Sequence, residues 1–316
     1  MSDFSAPELH VVTGGGPVGT TIALQLADQG HQVRLLTRSG SGPDHALVDR
    51  RRVDVSLADG LADQFEGAAA VHHCIHGSAY SAASWRVELP AAEQAVLEAA
   101  GAAGAVVVFP ESLYSYGPVD VAMTEDLPRT ATRGKLGIRA ELLRKRAESS
   151  TPTVSVAASD FYGPLVRMSH AGERLVPALL AGHRVYMMGS LRQPHSFTYV
   201  PDLARAMITS ARTPSLWGQV LHAPTAPAIT QREMAEALAR AAGVAEPRLS
   251  TLPAWVLKAT GLFSTQAREL AETSYMFTRP FVLDSSHSEA LLGQAPTPVD
   301  VAAKETVAWW RAQENA

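Results

Sequence analysis

At 316 residues, 46% of them hydrophobic, the chain is long enough to bury a substantial core and to hold one large domain or one and a half. The net charge of −4 carries no basic excess, which argues against a nucleic-acid partner. Cys74 is the single cysteine, no apolar run has membrane length, and the polar lead Met1 to Glu8 lacks an apolar signal core; together these predict a cytoplasmic protein without a membrane partner.

Leu9-His10-Val11-Val12 reads as a buried strand, and Val18, Ile22 and Leu26 mark one face of a helix ending at Gly30. Between them Gly14, Gly16 and Gly19 fit G-x-G-x-x-G, where glycine permits a tight turn, close approach to a pyrophosphate and close helix packing. Pro17 suits the first helical turn, and the free amides there attract an anion. Further strands are predicted at 32–36, 52–55, 69–75, 105–109 and 153–157. Helices are predicted at about 57–65 and 91–100 and from Lys135 onward, with Tyr80 and Trp85 in a loop and Pro110 stopping a strand. This alternation predicts an α/β fold with a doubly wound parallel sheet over residues 1–164.

From residue 165 to 316 helical patterns dominate, at about 173–181, 202–211 and 231–242, the last opening on the capping box Thr230-x-x-Glu233. Short strands at 184–188 and 219–223 interrupt them, and the tail from Thr251 reads as helical with an extended break at 280–283. The expectation is a smaller, mostly helical substrate lobe over the carboxyl ends of the sheet, with segments near 190–225 returning to the first domain.

About twenty residues past the glycines, where an NAD site places a carboxylate on the ribose, stand Thr37, Arg38 and Ser39. A guanidinium there can pair with a 2′-phosphate, so NADP is favoured and NAD stays open; a solvated loop cation is the plain alternative. Asp54 and Val55 close the third strand, where the carboxylate either meets an adenine amino group or caps the next helix. Cofactor candidates are therefore Gly14, Gly16, Pro17, Val18, Gly19, Thr37, Arg38, Ser39, Asp54 and Val55, with Cys74, Ile75 and His76 closing the fourth strand.

The glycine turn, Asp54-Val55, Ser112-x-x-x-Tyr116-Gly117, the run Asp160 to Pro164, the run Phe197 to Ala206 and the late Leu292-Gly293-x-x-Pro296-Thr297-Pro298 occur in a recognisable order. Over nearly the whole chain it resembles the extended short-chain dehydrogenase/reductases, the branch with nucleotide-sugar epimerases and dehydratases. That resemblance implies a Rossmann fold and a homodimer through helices flanking the sheet. It also implies chemistry by Ser, Tyr and Lys, the last two in Tyr-x-x-x-Lys, where the phenol exchanges a proton with the substrate oxygen. Ser112 matches the serine and Lys135 the lysine, whose ammonium would hold the nicotinamide ribose, but the tyrosine position is Ala131 and no Tyr-x-x-x-Lys occurs.

Three readings follow from that departure. Another hydroxyl replaces the missing phenol, with Tyr114 first, then Thr132 and Tyr80; or the chemistry is redox-neutral, as in an epimerase or dehydratase; or the protein binds NADP and regulates without catalysis. The first makes the chain an NADP-dependent oxidoreductase acting on a carbonyl or secondary alcohol of a small organic substrate. Substrate-side candidates are Tyr80, Trp85, Tyr162, Arg167 and His195, beside His170, Tyr186 and Arg192; each could equally pack the lobe. Tyr116 and Tyr162 fit packing or a pocket wall, and Trp309-Trp310 fit docking of the last helix. His72, His73, Cys74 and His76 lack zinc-ligand spacing, so no metal is expected there.

Overall fold

The computed structural model describes residues 6–57, 60–252 and 264–314. In chain order, β1 (Leu9–Thr13), α1 (Pro17–Asp28), β2 (Gln32–Thr37), β3 (Val48–Arg52), α2 (Leu61–Phe65), β4 (Ala68–His73), α3 (Ala82–Ala102), β5 (Val106–Ser112), α4 (Gly134–Ala147) and β6 (Thr153–Ala158) alternate almost regularly. There follow β7 (Asp160–Tyr162), α5 (Val176–Leu180), β8 (Val185–Met188), β9 (Pro194–His195), β10 (Phe197–Tyr199), α6 (Val200–Ala211), β11 (Val220–His222), β12 (Ile229–Thr230), α7 (Gln231–Ala242) and β13 (Leu249–Leu252). Three helices close the described chain: α8 (Thr265–Thr273), α9 (Ser286–Leu292) and α10 (Val299–Glu314).

Seven parallel strands form one sheet in the order β11-β6-β5-β4-β1-β2-β3, so the order reverses between β1 and β4. Ligands of open α/β sheets bind beyond the carboxyl ends of the strands at such a reversal. β1 is buried from His10 to Thr13 because helices cover both faces of a parallel sheet. On one face α1 and α6 cross, and Ile22, Leu26, Leu203 and Met207 are fully buried there, each contributing about 1.5–3 kcal/mol. On the other, Leu61, Phe65 and Val96 of α2 and α3 pack on Val11, Val71, Val107 and Phe109. A separate apolar cluster gathers Leu175, Val176, Leu179, Met234, Leu238, Val307 and Trp310, which docks the last helix as its tryptophans suggested.

Several element boundaries differ from the sequence reading, each for a physical reason. β3 lies at 48–52, not 52–55: an edge strand hides only Val48, so Val-Asp-Arg-Arg-Arg shows no strand pattern. β4 stops at His73 rather than residue 75, as the chain bends past the glycine turn. α3 starts at Ala82, where the Ser81 hydroxyl accepts from the Ser84 amide, and continues through Pro90, so Trp85 is helical rather than in a loop. β5 runs through Pro110 to Ser112. Val107 donates toward β6, so residue 110 faces β4, whose pairing has ended at Val108; the missing N–H of Pro110 loses nothing.

α2 starts at Leu61, with residues 58–59 of its predicted range outside the described residues. α5 shortens to five residues. β11 pairs with β6 and adds a seventh strand, within the 190–225 stretch expected to return to the first domain; α6 carries the chain across the sheet to that edge. The capping box of α7 forms as expected, and the predicted helical tail is partly outside the description at 253–263.

Candidate active site

At the reversal point, three glycines do three different jobs. Gly14 has φ of 94°, and a Cβ there would lie 2.8 Å from the Cys74 carbonyl oxygen. A Cβ on Gly19 would lie 2.0 Å from the Gly14 carbonyl oxygen, which locks α1 against the turn. Gly16 has open space where its Cβ would be, so it faces outward. Gly16 also caps α1 without a side-chain hydrogen bond, Pro17 follows, and no acidic residue stands in the first turn. Those amides beside Val18 and the positive helix end form a cradle that suits a pyrophosphate.

Around this turn, Cys74 donates its amide to the Thr13 carbonyl at 2.8 Å and Ile75 Cγ1 abuts Gly14. Burial pushes the Cys74 thiol up, so it stays protonated. Thr37 is buried and its hydroxyl donates to the Ser41 carbonyl at 3.0 Å, while Arg38 and Ser39 are exposed. Asp54 accepts from the Ser56 hydroxyl (2.7 Å) and amide (3.1 Å), bonds that hold its carboxyl below the usual range. Asp54 thus closes a local turn and does not cap α2, whose cap is Gly60; Val55 is buried behind it.

The second corner lies beyond β5 and α4. Ser112 ends β5, and both its amide (2.7 Å) and hydroxyl (3.2 Å) donate to Glu111 Oε1. Glu111 is buried against Arg146 at 2.8 Å, which also pairs with Glu93. This charge cluster was not anticipated from sequence. Tyr114 and Tyr80 share a hydroxyl–hydroxyl bond of 2.8 Å, and Tyr80 lies 3.3 Å from the Thr273 hydroxyl. Trp85 stacks on Tyr114 at 6.3 Å and meets His76 edge-on at 4.8 Å. Burial, then the neighbouring Tyr80, hold the Tyr114 phenol well above its ordinary pKa, with Asp160 and Tyr275 adding to the effect.

Lys135 stands near the start of α4, fully buried. Its ammonium donates to the Glu269 carboxylate, to Glu272 Oε2 at 2.6 Å and to the Glu269 carbonyl at 2.9 Å. All three donors are thereby matched by α8, and Tyr80 covers the ammonium at 4.7 Å from ring centroid. Gly134 makes this approach feasible: a Cβ there would overlap Glu272 Oε1 at 1.8 Å. Only the i, i+3 carboxylates of α8 hint at the pairing in sequence, and nothing local names their partner.

Other candidates fall in different places. His195 is buried between Phe277 and Phe281, its ring nitrogens 2.7 Å from Asp160 Oδ2 and 3.1 Å from the Met276 carbonyl. Burial raises the Asp160 carboxyl, but the His195 hydrogen bond and charge bring it below the ordinary range. Thr132 is exposed. Tyr162 is buried against Tyr199, and Arg167 is exposed, bonded to Gln313 and lying over Trp309 and Trp310, so neither joins the Tyr80–Tyr114 cluster. Tyr116 packs as expected, its hydroxyl donating to the Thr124 carbonyl. His72 and His73 are buried and His76 is exposed; His73 faces the Thr13 hydroxyl at 2.9 Å.

The sequence profile of the NAD dependent epimerase/dehydratase family matches residues 10–219, about two thirds of the chain. The chain belongs to that family. Solved structures extend the fold likeness over the remainder. MoeE5, solved in complex with UDP-glucose and NAD, is 25% identical with a TM-score of 0.75, covering 96% of this chain and 99% of its own. The Bordetella bronchiseptica enzyme WbmH in complex with NAD+ is 18% identical with a TM-score of 0.75, covering 97% and 99%. The UDP-glucose 4-epimerase of Thermotoga maritima with UDP-glucose is 19% identical with a TM-score of 0.74, covering 97% and 99%. No curated protein matches the sequence. Among the described residues, no helix of this family member is long and apolar enough to cross a membrane.

Proposed function

We propose that this family member is a nicotinamide-dependent oxidoreductase that reduces a carbonyl of a small organic substrate, with the Tyr114 phenol as proton donor. The observation that carries this reading is the Tyr80–Tyr114 pair, 2.8 Å between hydroxyls, beside Ser112 and the covered Lys135. A nicotinamide dinucleotide held at the glycine turn before α1 would supply the hydride. Tyr114 delivers a proton to the substrate oxygen, and Tyr80, within hydrogen-bond reach, replaces it. A phenol held above its ordinary pKa stays protonated, which suits donation better than abstraction. Lys135 does not oppose this, because two carboxylates offset its charge. Ser112 turns its hydroxyl hydrogen toward Glu111, which leaves its lone pairs for the alcohol product.

The cofactor we favour is NADP. No carboxylate follows Thr37; Arg38 is exposed there, and the exposed Arg52 stands opposite Thr37 in the register of β2 and β3, which supports a 2′-phosphate over a bare ribose. A second reading is favoured by Lys135 itself: with every donor engaged by α8, the ribose hydroxyls find no ammonium, as in a nicotinamide-binding regulator without turnover. Incubation with NADPH and a panel of aldehydes and ketones, followed by nicotinamide absorbance, separates the two. Consumption on at least one carbonyl supports the reductase. Tight NADPH binding with no consumption supports the regulator or a redox-neutral enzyme and sinks the reductase.

A further inference from the structure

Opposite the glycine turn, at the amino edge of the sheet, Glu8 precedes β1, His10 lies on it, and His31 closes the turn from α1 into β2. One donor atom from each of the three lies within 4.8 Å of the other two. His10 Nε2 and Glu8 Oε2 are 3.5 Å apart, and both atoms are buried without a hydrogen-bond partner. His10 is wholly inaccessible at 0% exposure, so its lone nitrogen is aimed into the cluster and nowhere else. Donors on a tetrahedral ion with bonds of about 2.0–2.1 Å stand roughly 3.3–3.4 Å apart, close to that separation. We propose that Glu8, His10 and His31 ligate a divalent transition-metal ion of the zinc type, with water completing the tetrahedron.

The surroundings support that donor set. His72 stacks on His10 at 5.6 Å, with its Nε2 3.4 Å from His10 Nδ1. A proton on His10 Nδ1, directed at His72, leaves the Nε2 lone pair facing Glu8, which is how metal-bound histidines are commonly oriented. Two imidazoles and a carboxylate are ligands for Zn²⁺, Co²⁺ or Ni²⁺ rather than Ca²⁺ or Mg²⁺. His31 sits edge-on to His10 at 5.2 Å, and its Nδ1 accepts the Glu8 amide at 3.2 Å; a neutral imidazole has one free lone pair, so Nδ1 must release that amide to ligate the ion. Arg212 opposes the ion: its Nε lies 3.5 Å from the same Glu8 oxygen and must move aside. The ion would tie the first strand to the α1–β2 turn, remote from the cofactor cradle.

The test uses untagged full-length protein titrated with Co²⁺, read by visible d–d absorbance, and with Zn²⁺ by calorimetry. One ion per chain is expected, with tetrahedral Co²⁺ bands. Glu8→Gln and His31→Gln should each weaken binding at least tenfold, and Arg212→Gln should tighten it several-fold. His10→Gln is the most direct variant but removes a core residue, so the other three keep the test open if it misfolds. No stoichiometric binding overturns the proposal. So does binding that persists unchanged in both Glu8→Gln and His31→Gln, since the metal would then sit on other side chains.

Discussion

The β1–α1 and β5–α4 corners treat their polar groups in opposite ways. At the β1–α1 corner the chain leaves them unmatched: Gly16 caps α1 with no side chain, no acidic residue occupies the first turn, and the space beside Gly16 is open. At the β5–α4 corner the chain matches its own: Lys135 gives three donors to α8, Ser112 points its hydrogen to Glu111, and Tyr114 pairs with Tyr80. Unmatched amides at a helix start are suited to an outside anion. A self-satisfied buried ion cluster mainly holds structure, and it must open before it can serve a ligand. On the proposed reading the glycine turn is open to a cofactor, while Lys135 is engaged by the carboxylates of α8.

That contrast can be broken at several points. Tyr114→Phe keeps the ring against Trp85 and removes only the hydroxyl, so turnover should fall by two or more orders of magnitude in steady-state kinetics. Near-normal turnover would remove Tyr114 from the chemistry. Lys135→Met leaves Glu269 and Glu272 facing each other in a largely buried place and should destabilise the fold by about 3 kcal/mol in urea melts. Adding Glu269→Gln and Glu272→Gln should restore most of it; an unchanged midpoint in the single variant would show that the cluster is not structural.

Acid should loosen the sheet through His73. Burial, then the charges of Arg146 and Arg139, bring its pKa down to about 3. The unfolded chain takes up this proton below about pH 6.5 and the folded protein does not. Stability is thus full above that pH and is lost as pH falls, by about 2 kcal/mol per such group at pH 5. His73→Gln should flatten the fall of the melting midpoint between pH 7 and 5, and an identical slope would contradict the assignment. Arg38→Ala is the smallest effect: NADPH affinity should drop about tenfold with NADH little changed, from the loss of one charge-assisted pair. Equal losses would count against the 2′-phosphate contact.

Legibility in the sequence follows the range of the interactions. Gly14, Gly16 and Gly19 act within six residues of one another, so their spacing alone carries their geometry. Ser112 and Lys135 were placed by order along the chain and do stand at the ends of β5 and α4. The partners of Lys135 lie 134 and 137 residues away, and no local pattern links them to it. Trp85 was read in a loop because a helix was recognised only at about 91–100, whereas α3 already starts at Ala82. β3 was misplaced because an edge strand needs little apolar surface, so three arginines in a row concealed it.

An anion site at the amino end of α1 underlies the nicotinamide reading, and calorimetry on Gly16→Val tests it directly. A Cβ at Gly16 meets no protein atom within 4 Å, so the variant should fold and melt close to the wild type, less the N-cap preference for glycine. It should nevertheless bind NADPH at least tenfold more weakly, because the added methyls fill the space for the pyrophosphate. NADPH affinity equal in the two proteins, at equal stability, would contradict the cradle and with it the nicotinamide reading.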